Sequence, residues 1–275
     1  MDFMRLENRN IVLTGVANRR SVAWAVAGAL LECGANILYV FKDQELLEKN
    51  RKLIGEDARA IVCDVESDED MGALATRVAE HFPVVHGLVH SLAFANFSEG
   101  LKPFHGTLKR DFLQAVDISC FSLVQMCDRL KELFAPDASI VTMSISTTEM
   151  ASENYGYMGP IKAALDSSVV FLAKSLAENV SREIRVNAVG AGLLKTSASA
   201  GIPGYIDAYL YAEQVIPRHR CLETSEPANV ITFLLSPRSS GINAQTIITD
   251  AGMRINYFDR AIVRKVSAPN GLPQG

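Results

Sequence analysis

The chain has 275 residues, of which 48% are hydrophobic and 21% are charged, so it can bury the core of one large α/β domain or two small ones. Its formal net charge of −4 argues against a nucleic-acid-binding protein, which normally carries a basic excess. The sequence contains no apolar run of membrane-spanning length and no signal-peptide pattern near Met1, so we expect no membrane insertion.

The cysteines indicate the cellular compartment, and the histidines bear on whether a metal site is present. The cysteines are odd in number and have no CxxC spacing, which predicts reduced thiols in a cytoplasmic protein; they are Cys33, Cys63, Cys120, Cys127 and Cys221. The five histidines show no metal-ligand spacing. We therefore expect no metal site.

Short β-branched runs alternate with helical patterns along the chain. The predicted strands cover residues 10–15, 37–41, 58–65, 87–91, 138–144, 184–189 and 246–249. The predicted helices cover residues 21–32, 44–54, 108–134 and 224–235, with further helices starting near residues 67 and 157–159. This alternation predicts an α/β fold: a single doubly wound parallel sheet of about seven strands, of the Rossmann type, with helices on both faces.

The first strand-to-helix turn is a candidate phosphate site. The usual dinucleotide fingerprint has three glycines, but only Gly15 is present here, and Ser21 and Ala23 stand at the later positions. The helix that begins at Ser21 would still offer free amides and a positive dipole end to a pyrophosphate, and Arg19 and Arg20 add positive charge. The same pattern also fits an ordinary βα turn.

Two positions after later strands bear on the choice of cofactor. Lys42 follows the second strand, where an acidic residue would bind the ribose of NAD, and a cation there favours the 2′-phosphate of NADPH. The alternative is a solvated surface lysine. Asp64 and Val65 end the third predicted strand and would face the adenine.

A tyrosine and a lysine lie at the start of the helix that follows the fifth strand. Pro160 belongs in a first helical turn, which places Tyr155 at the mouth of the helix and Lys162 within its first two turns. The two residues are seven positions apart, close to two turns, so both can face one cleft. We expect the ammonium to lower the phenol pKa and make Tyr155 a proton donor. The alternative is a surface tyrosine and a surface lysine.

These motifs together resemble one known group. The paired patterns Gly15-x5-Ser21-x-Ala23 and Tyr155-x2-Met158-x3-Lys162 are similar to those of the enoyl-[acyl-carrier-protein] reductases, the divergent branch of the short-chain dehydrogenase/reductase family. Further matches span residues 5–258 and include Cys63-Asp64-Val65, His90-Ser91-Leu92-Ala93-Phe94-Ala95, Asp117-Ile118-Ser119, Arg185-Val186-Asn187-Ala188 and Ala191-Gly192. Ordinary family members place the tyrosine at the position of Met158, whereas the enoyl reductases place it where Tyr155 stands.

The resemblance implies a role for each matching residue. Tyr155 and Lys162 would be catalytic, Lys162 would also hold the nicotinamide ribose, and hydride would pass from the nicotinamide to the β-carbon of an enoyl thioester. Ala95, Ile145 and Tyr155 would contact the substrate. The residues implied to bind NADH or NADPH, besides Lys42, are Gly15, Ser21, Val22, Asp64, Val65, Ser91, Leu92, Lys162, Leu194, Lys195, Thr196, Ser197 and Ala198.

The resemblance also implies an architecture and partners. Residues 1–258 would form one NAD(P)-binding reductase domain, and residues 193–216 would form a lid over the acyl chain, with Gly201 and Gly204 as hinges. Beyond the resemblance, the mixture of Arg, Lys, Pro, Gly and Ser in residues 259–275 predicts a C-terminal tail that is either mobile or packed in an oligomer. The implied partners are an enoyl thioester on acyl carrier protein or a similar carrier, and three further copies of the chain in a homotetramer.

One departure keeps other functions open. Ile145 stands where the enoyl reductases carry a second tyrosine and where ordinary family members carry a serine. An isoleucine can perform neither role. The first alternative is a short-chain reductase that acts on a carbonyl or another activated alkene, and the second is a cofactor-binding paralogue with little catalysis.

Overall fold

A computed structural model describes residues 3–100, 102–153, 155–196, 199 and 201–266. Within them, seven parallel strands form one sheet in the order β3-β2-β1-β4-β5-β6-β7. The strands are β1 (Asn10–Thr14), β2 (Asn36–Phe41), β3 (Ala60–Val62), β4 (Val85–His90), β5 (Phe134–Ile145), β6 (Arg185–Ala191) and β7 (Thr246–Thr249). The predicted fold class is confirmed.

Helices cover both faces of this sheet. They are α1 (Val22–Glu32), α2 (Gln44–Ile54), α3 (Asp68–Ala79), α4 (Lys109–Val116), α5 (Ser122–Leu130), α6 (Met158–Asn179), α7 (Tyr205–Val215), α8 (Ser225–Leu235) and α9 (Arg260–Val266). Side chains of Ser21, Asp43 and Ser67 cap the first three helices by accepting hydrogen bonds from backbone amides in the first turn. These caps explain why the sequence predicts the first three helix starts so closely.

The strand order places a crevice at the centre of the sheet. β1 pairs with β2 on one side and with β4 on the other, so the chain winds in opposite directions from this point. In doubly wound sheets, ligands bind at the carboxyl ends of the strands at such a switch point. One buried apolar cluster lies on each face of the sheet, and together they hold the strands that end at the crevice.

The single helix predicted for residues 108–134 is wrong. A π-helical turn, Asp117–Phe121, separates α4 from α5, a 3₁₀ turn follows at Lys131–Leu133, and β5 already begins at Phe134. The wider π turn places the Ser119 hydroxyl against the loop after β4. The strand predicted at 58–65 is also shorter, because only Ala60–Val62 pairs with β2.

The next feature concerns the predicted C-terminal tail. The first part of the predicted C-terminal tail is helical, because α9 covers Arg260–Val266, and Lys265 contacts Gln214 of α7. Residues 267–275 of that predicted tail lie outside the described residues.

All five cysteines are free thiols. Within the described ranges, none of the helices combines the length and the apolar character that crossing a bilayer requires.

Candidate active site

Gly15 lies directly after β1, at a position in the crevice that only a glycine fits. It has a φ of +87°, and a Cβ built on it would lie 2.1 Å from the carbonyl oxygen of Ser91. Thr14 fixes the same junction: its Oγ1 accepts a 3.1 Å hydrogen bond from the Ser91 amide and donates one of 3.1 Å to Val89 O. The backbones that follow β1 and β4 therefore approach each other closely at Gly15 and Ser91, and together they form a shallow cradle.

The N-terminus of α1 opens onto this cradle. Ser21 Oγ accepts a 3.2 Å hydrogen bond from the Trp24 amide and donates one of 2.8 Å to the carbonyl of Asn18. Val22 is the first helical residue and is buried. The capped helix end fits the pyrophosphate of a dinucleotide.

Lys42 is paired with carboxylates. Its Nζ lies 3.0 Å from Glu66 and 3.5 Å from Asp64, and the hydrogen bond that Lys42 donates to Glu66 raises the pKa of Lys42. Gln114 donates a 2.8 Å hydrogen bond to Glu66, and this bond lowers the pKa of Glu66. The sequence argument for NADPH treated Lys42 as an isolated cation, whereas the local cluster carries two carboxylates for one ammonium.

Lys162 is buried in the second turn of α6. Its Nζ donates a 2.7 Å hydrogen bond to Met143 O, at the end of β5, and one of 3.4 Å to Leu92 O, in the loop after β4. Burial lowers the pKa of Lys162 to about 8, against the opposing effect of the Asp166 carboxylate. The lysine thus connects the ends of two central strands beside the crevice and is not a surface residue.

Tyr155 lies three residues before α6 and packs, half-buried, against the same apolar cluster as Ala95. Burial raises the pKa of Tyr155 above the usual phenol value, and the neighbouring Tyr205 adds to this effect. The expectation of a phenol pKa lowered by Lys162 is therefore wrong for this structure. A raised pKa keeps Tyr155 protonated at neutral pH, which suits a hydrogen-bond or proton donor.

The loop after β4 carries Ser91, Leu92 and Ala95 past these side chains. Two hydroxyl groups hold it by its backbone. Ser119 Oγ accepts from the amide of Phe94 at 2.9 Å and donates to its carbonyl at 3.3 Å, and Tyr157 Oη makes the same pair of bonds to Asn96, at 2.8 and 3.1 Å. Ala95, the predicted substrate contact, lies between the two bound residues.

A third hydroxyl holds the segment after β6 in the same way. Tyr205 Oη accepts from the Leu194 amide at 2.9 Å and donates to the Leu194 carbonyl at 2.7 Å. Nearby, Lys195 Nζ lies 4.0 Å from the centre of the Tyr209 ring, and the Thr196 amide donates to Ser199 Oγ at 2.9 Å. These residues come from the predicted lid. Ser197 and Ala198, also predicted to bind the cofactor, lie outside the described residues.

Ile145 is the last residue of β5 and is half-buried. The preceding residue, Ser144, carries a buried hydroxyl. That hydroxyl lies beside Asp166 of α6, whose pKa burial raises. The end of β5 thus supplies an apolar side chain at the position where the resemblance expects a second tyrosine.

Sequence reasoning missed the hydroxyl groups that position the loops. Ser119 belongs to a motif that the sequence identified, but its role was not apparent, and Tyr157 and Tyr205 were not identified as site residues at all. Each hydroxyl bonds a residue that is 11 or more positions away in the chain. No local sequence pattern predicts such a contact.

The geometry defines a class of protein. The capped end of α1 and the tight Gly15 junction lie at the switch point of the sheet, where dinucleotides bind in this kind of fold. Lys162, near the start of α6, bonds the backbone after β4 and near the end of β5, and Tyr155 lies three residues before the same helix. This combination is that of a nicotinamide-dependent reductase of the short-chain type.

Comparison with known proteins narrows this class. A sequence profile described as enoyl-(acyl carrier protein) reductase matches residues 15–254. The chain is 35% identical over 253 residues to the enoyl-[acyl-carrier-protein] reductase [NADH] FabI of Enterococcus faecalis, covering 92% of this chain and all of that protein. It is 32% identical to the [NADPH] FabI of Staphylococcus aureus strain MRSA252, covering 90% of this chain and 98% of that protein.

Solved structures agree with the sequence comparison. The crystal structure of enoyl-[acyl-carrier-protein] reductase (NADH) from Aquifex aeolicus superposes with a TM-score of 0.87 at 29% identity, covering 92% of this chain and 99% of that one. The Bacillus cereus enoyl-acyl carrier protein reductase, solved with NADP+ and an indole naphthyridinone, gives a TM-score of 0.85 at 31% identity, covering 91% of this chain and 98% of that one. The chain belongs to the enoyl-[acyl-carrier-protein] reductase family.

Proposed function

We propose that this protein reduces the trans-2 double bond of an enoyl thioester with NADH or NADPH, as a step of fatty acid biosynthesis. The observation that carries this proposal is the position of the Tyr155 phenol, which packs on one apolar cluster with Ala95 just before α6, the helix that carries Lys162. An enoyl thioester needs an apolar wall and one hydrogen-bond donor at its carbonyl oxygen. This corner of the crevice provides both.

Each residue has a defined task in this reaction. The bound cofactor supplies the hydride that adds to the β-carbon, and negative charge then develops on the thioester oxygen. Tyr155 stabilises that oxygen by donating a hydrogen bond or its proton. Lys162 holds the nicotinamide ribose and fixes the ends of β4 and β5 through Leu92 and Met143. Ala95 and Ile145 form the apolar contacts of the acyl group.

The remaining predicted residues would hold the cofactor. Gly15, Ser21 and Val22 lie at the cradle for the pyrophosphate, and Asp64 and Val65 lie on the adenine side with Lys42. Ser91 and Leu92 border the middle of the crevice. Residues 193–216 would act as a lid, for which Gly204 offers a hinge in the left-handed region, at a φ of +70°. Its helix α7 packs through Ala212 on a small apolar cluster of its own.

The test follows oxidation of NADH and NADPH by the purified protein with crotonyl thioester, with mass spectrometry to identify the saturated product. We expect turnover that falls by a factor of about 10² or more in Tyr155→Phe, since a general acid contributes that much. Tyr257→Phe is the matched control, because Tyr257 lies after the proposed lid and its side chain is fully exposed. A wild-type protein that binds NADH but leaves the thioester unchanged would contradict the proposal.

Ile145 supports a second candidate, a short-chain reductase acting on a carbonyl. An apolar side chain at the end of β5 cannot donate the hydrogen bond expected of a second tyrosine. The same assay with a 3-ketoacyl thioester distinguishes the two candidates. Reduction of the ketone in preference to the alkene would replace the first proposal with the second.

Exposed apolar side chains support the proposed assembly, and the free cysteine thiols support the proposed location. The face formed by the π turn and α6 exposes large apolar side chains, among them Phe121 at 48% and Phe171 at 75%, which a homotetramer would cover. The carrier-bound substrate would approach past α7. The free cysteines fit a reducing compartment such as the cytoplasm. Light scattering of the wild type and of Phe171→Lys tests the assembly, and a monomeric wild type would contradict it.

A further inference from the structure

The loop after β4 carries Ala95, the predicted substrate contact, and we call this part of the loop the Ala95 wall. It is held at two points. Residues Phe94 and Asn96 each have their amide and their carbonyl bonded to a single hydroxyl, that of Ser119 and that of Tyr157 respectively. Ala95 lies between them and has no polar side chain with which to fix its own position. The position of Ala95 therefore depends on these two hydroxyl groups.

Tyr157 is built into the core for this contact. Its side chain is 6% exposed, and its ring packs against those of Phe97, at 5.8 Å between centroids, and Phe112, at 6.3 Å. Asn96, to which it bonds, is held in addition by a 3.1 Å bond from its own Nδ2 to the buried Asp111 carboxylate. The phenol thus ties the loop after β4 to the helix pair α4 and α6.

Tyr157 also lies two residues from the proposed proton donor. Gly156 separates Tyr155 from Tyr157 and adopts a φ of +52°, a left-handed conformation that favours glycine. Tyr155 lies near Tyr205 at the start of the lid helix, and Tyr157 contacts the loop after β4. One short turn therefore carries both the proposed donor and the contact that positions the loop of Ala95.

We propose that Tyr157 is a positioning residue for the reduction, which fixes the distance between the Ala95 wall and Tyr155 and so sets the affinity for the enoyl group. This inference rests on the proposed function. Without the Tyr157 hydroxyl, the amide and carbonyl of Asn96 lose their bonds, the loop samples other positions, and Ala95 no longer packs at one distance from the thioester. Lys162 and the glycine cradle keep their contacts.

Tyr157→Phe tests the proposal because it removes only the hydroxyl and keeps the ring packing. We expect the KM for crotonyl thioester to rise by on the order of tenfold, while the KM for NADH or NADPH stays within about twofold and kcat falls by less than about threefold. Ser119→Ala, which releases Phe94 on the other side of Ala95, should reproduce this pattern. A merely structural role would change all three parameters or none.

The matched control is Tyr39→Phe, which removes a phenol hydroxyl from a side chain that is also buried, at 3% exposure, on strand β2. It should leave the KM for the thioester unchanged. If Tyr39→Phe and Tyr157→Phe raise that KM equally, or if Tyr157→Phe leaves it unchanged, the positioning role is wrong.

Hydrogen exchange gives a readout that does not depend on turnover. The amide of Asn96 should exchange at least about tenfold faster in Tyr157→Phe than in the wild type, because its acceptor is gone, and the amides of β1 should be unaffected. If the wild type does not reduce the thioester at all, the proposed function fails. Hydrogen exchange alone then tests whether the Tyr157 hydroxyl holds the loop in position. Unchanged exchange at Asn96 would overturn the inference in either case.

Discussion

The ammonium of Lys162 donates a 2.7 Å hydrogen bond to the carbonyl oxygen of Met143, the residue two positions before the end of β5. Burial at this point lowers the pKa of Lys162 to about 8 from an ordinary value of 10.5. Because the folded-state pKa lies below the unfolded one, the unfolded chain binds more protons between these two values. Folding stability then rises with pH across that window.

This relation predicts a pH-dependent effect of Lys162→Met. The wild type should gain stability relative to the variant as the pH rises from about 8 to about 10.5, and this contribution should be absent below about pH 8. Urea unfolding of both proteins at several pH values measures the difference. Lys174→Met is the control, because Lys174 is an exposed residue of the same helix that pairs with Glu178. Parallel stability curves for the wild type and Lys162→Met would contradict the prediction.

Gly15→Ala should damage both the fold and cofactor binding. The methyl group would lie 2.1 Å from Ser91 O at a φ of +87°, and that backbone conformation alone costs about 1–3 kcal/mol for a non-glycine residue. Gly28→Ala in α1 is the control: a Cβ at Gly28 meets no atom within 4 Å, and alanine should stabilise the helix by about 0.5–1 kcal/mol. Thermal unfolding and NADH titration measure both effects. Equal effects of the two substitutions would show that Gly15 is not a close-approach site.

The helix caps and the strands illustrate what the sequence could predict. Helix starts at Ser21 and Ser67 follow from side chains that bond amides three residues away, so the pattern is local and readable. The strands follow from apolar runs buried on both faces. The alternation of these elements was enough to obtain the sheet, and the start of α6 beside Tyr155 and Lys162 was predicted correctly.

The missed features depend on contacts between distant residues. The π turn at Asp117–Phe121 continues the apolar pattern of its flanking helices, and its purpose becomes visible only where Ser119 meets Phe94. The pairing of Lys42 with Glu66 joins two strand ends that are 24 residues apart. The direction of the Tyr155 pKa shift was also mispredicted, because burial and the neighbouring Tyr205 both raise the pKa of this phenol. In each case the decisive neighbour comes from tertiary packing.

Glu66→Gln should move the cofactor preference towards NADPH. Glu66 neutralises Lys42 across 3.0 Å, and Asp64 lies 3.5 Å away, so the cluster has a net negative charge that opposes a 2′-phosphate. We therefore expect the wild type to prefer NADH. The variant should raise kcat/KM for NADPH relative to NADH by on the order of tenfold. Glu69→Gln, an exposed residue of α3, is the control. A wild type that prefers NADPH would show that Asp64 and Glu66 move away from Lys42 on binding.

Tyr205→Phe should weaken cofactor binding through Leu194. The Tyr205 hydroxyl bonds both the amide and the carbonyl of Leu194, and Ser199 Oγ donates a second bond, of 2.8 Å, to that carbonyl. The phenylalanine variant leaves the Leu194 amide without its acceptor, so the segment predicted to line the nicotinamide should become more mobile.

Calorimetric titration with NADH measures this effect, and we expect Kd to rise about fivefold, which corresponds to the loss of about 1 kcal/mol. Tyr211→Phe on the same helix should bind like the wild type, because its side chain is largely exposed. In contrast to Tyr157→Phe, the change should appear in cofactor affinity without any thioester present. An unchanged Kd for Tyr205→Phe would mean that Leu194 does not contact the nicotinamide, and the predicted cofactor site would then end before the lid.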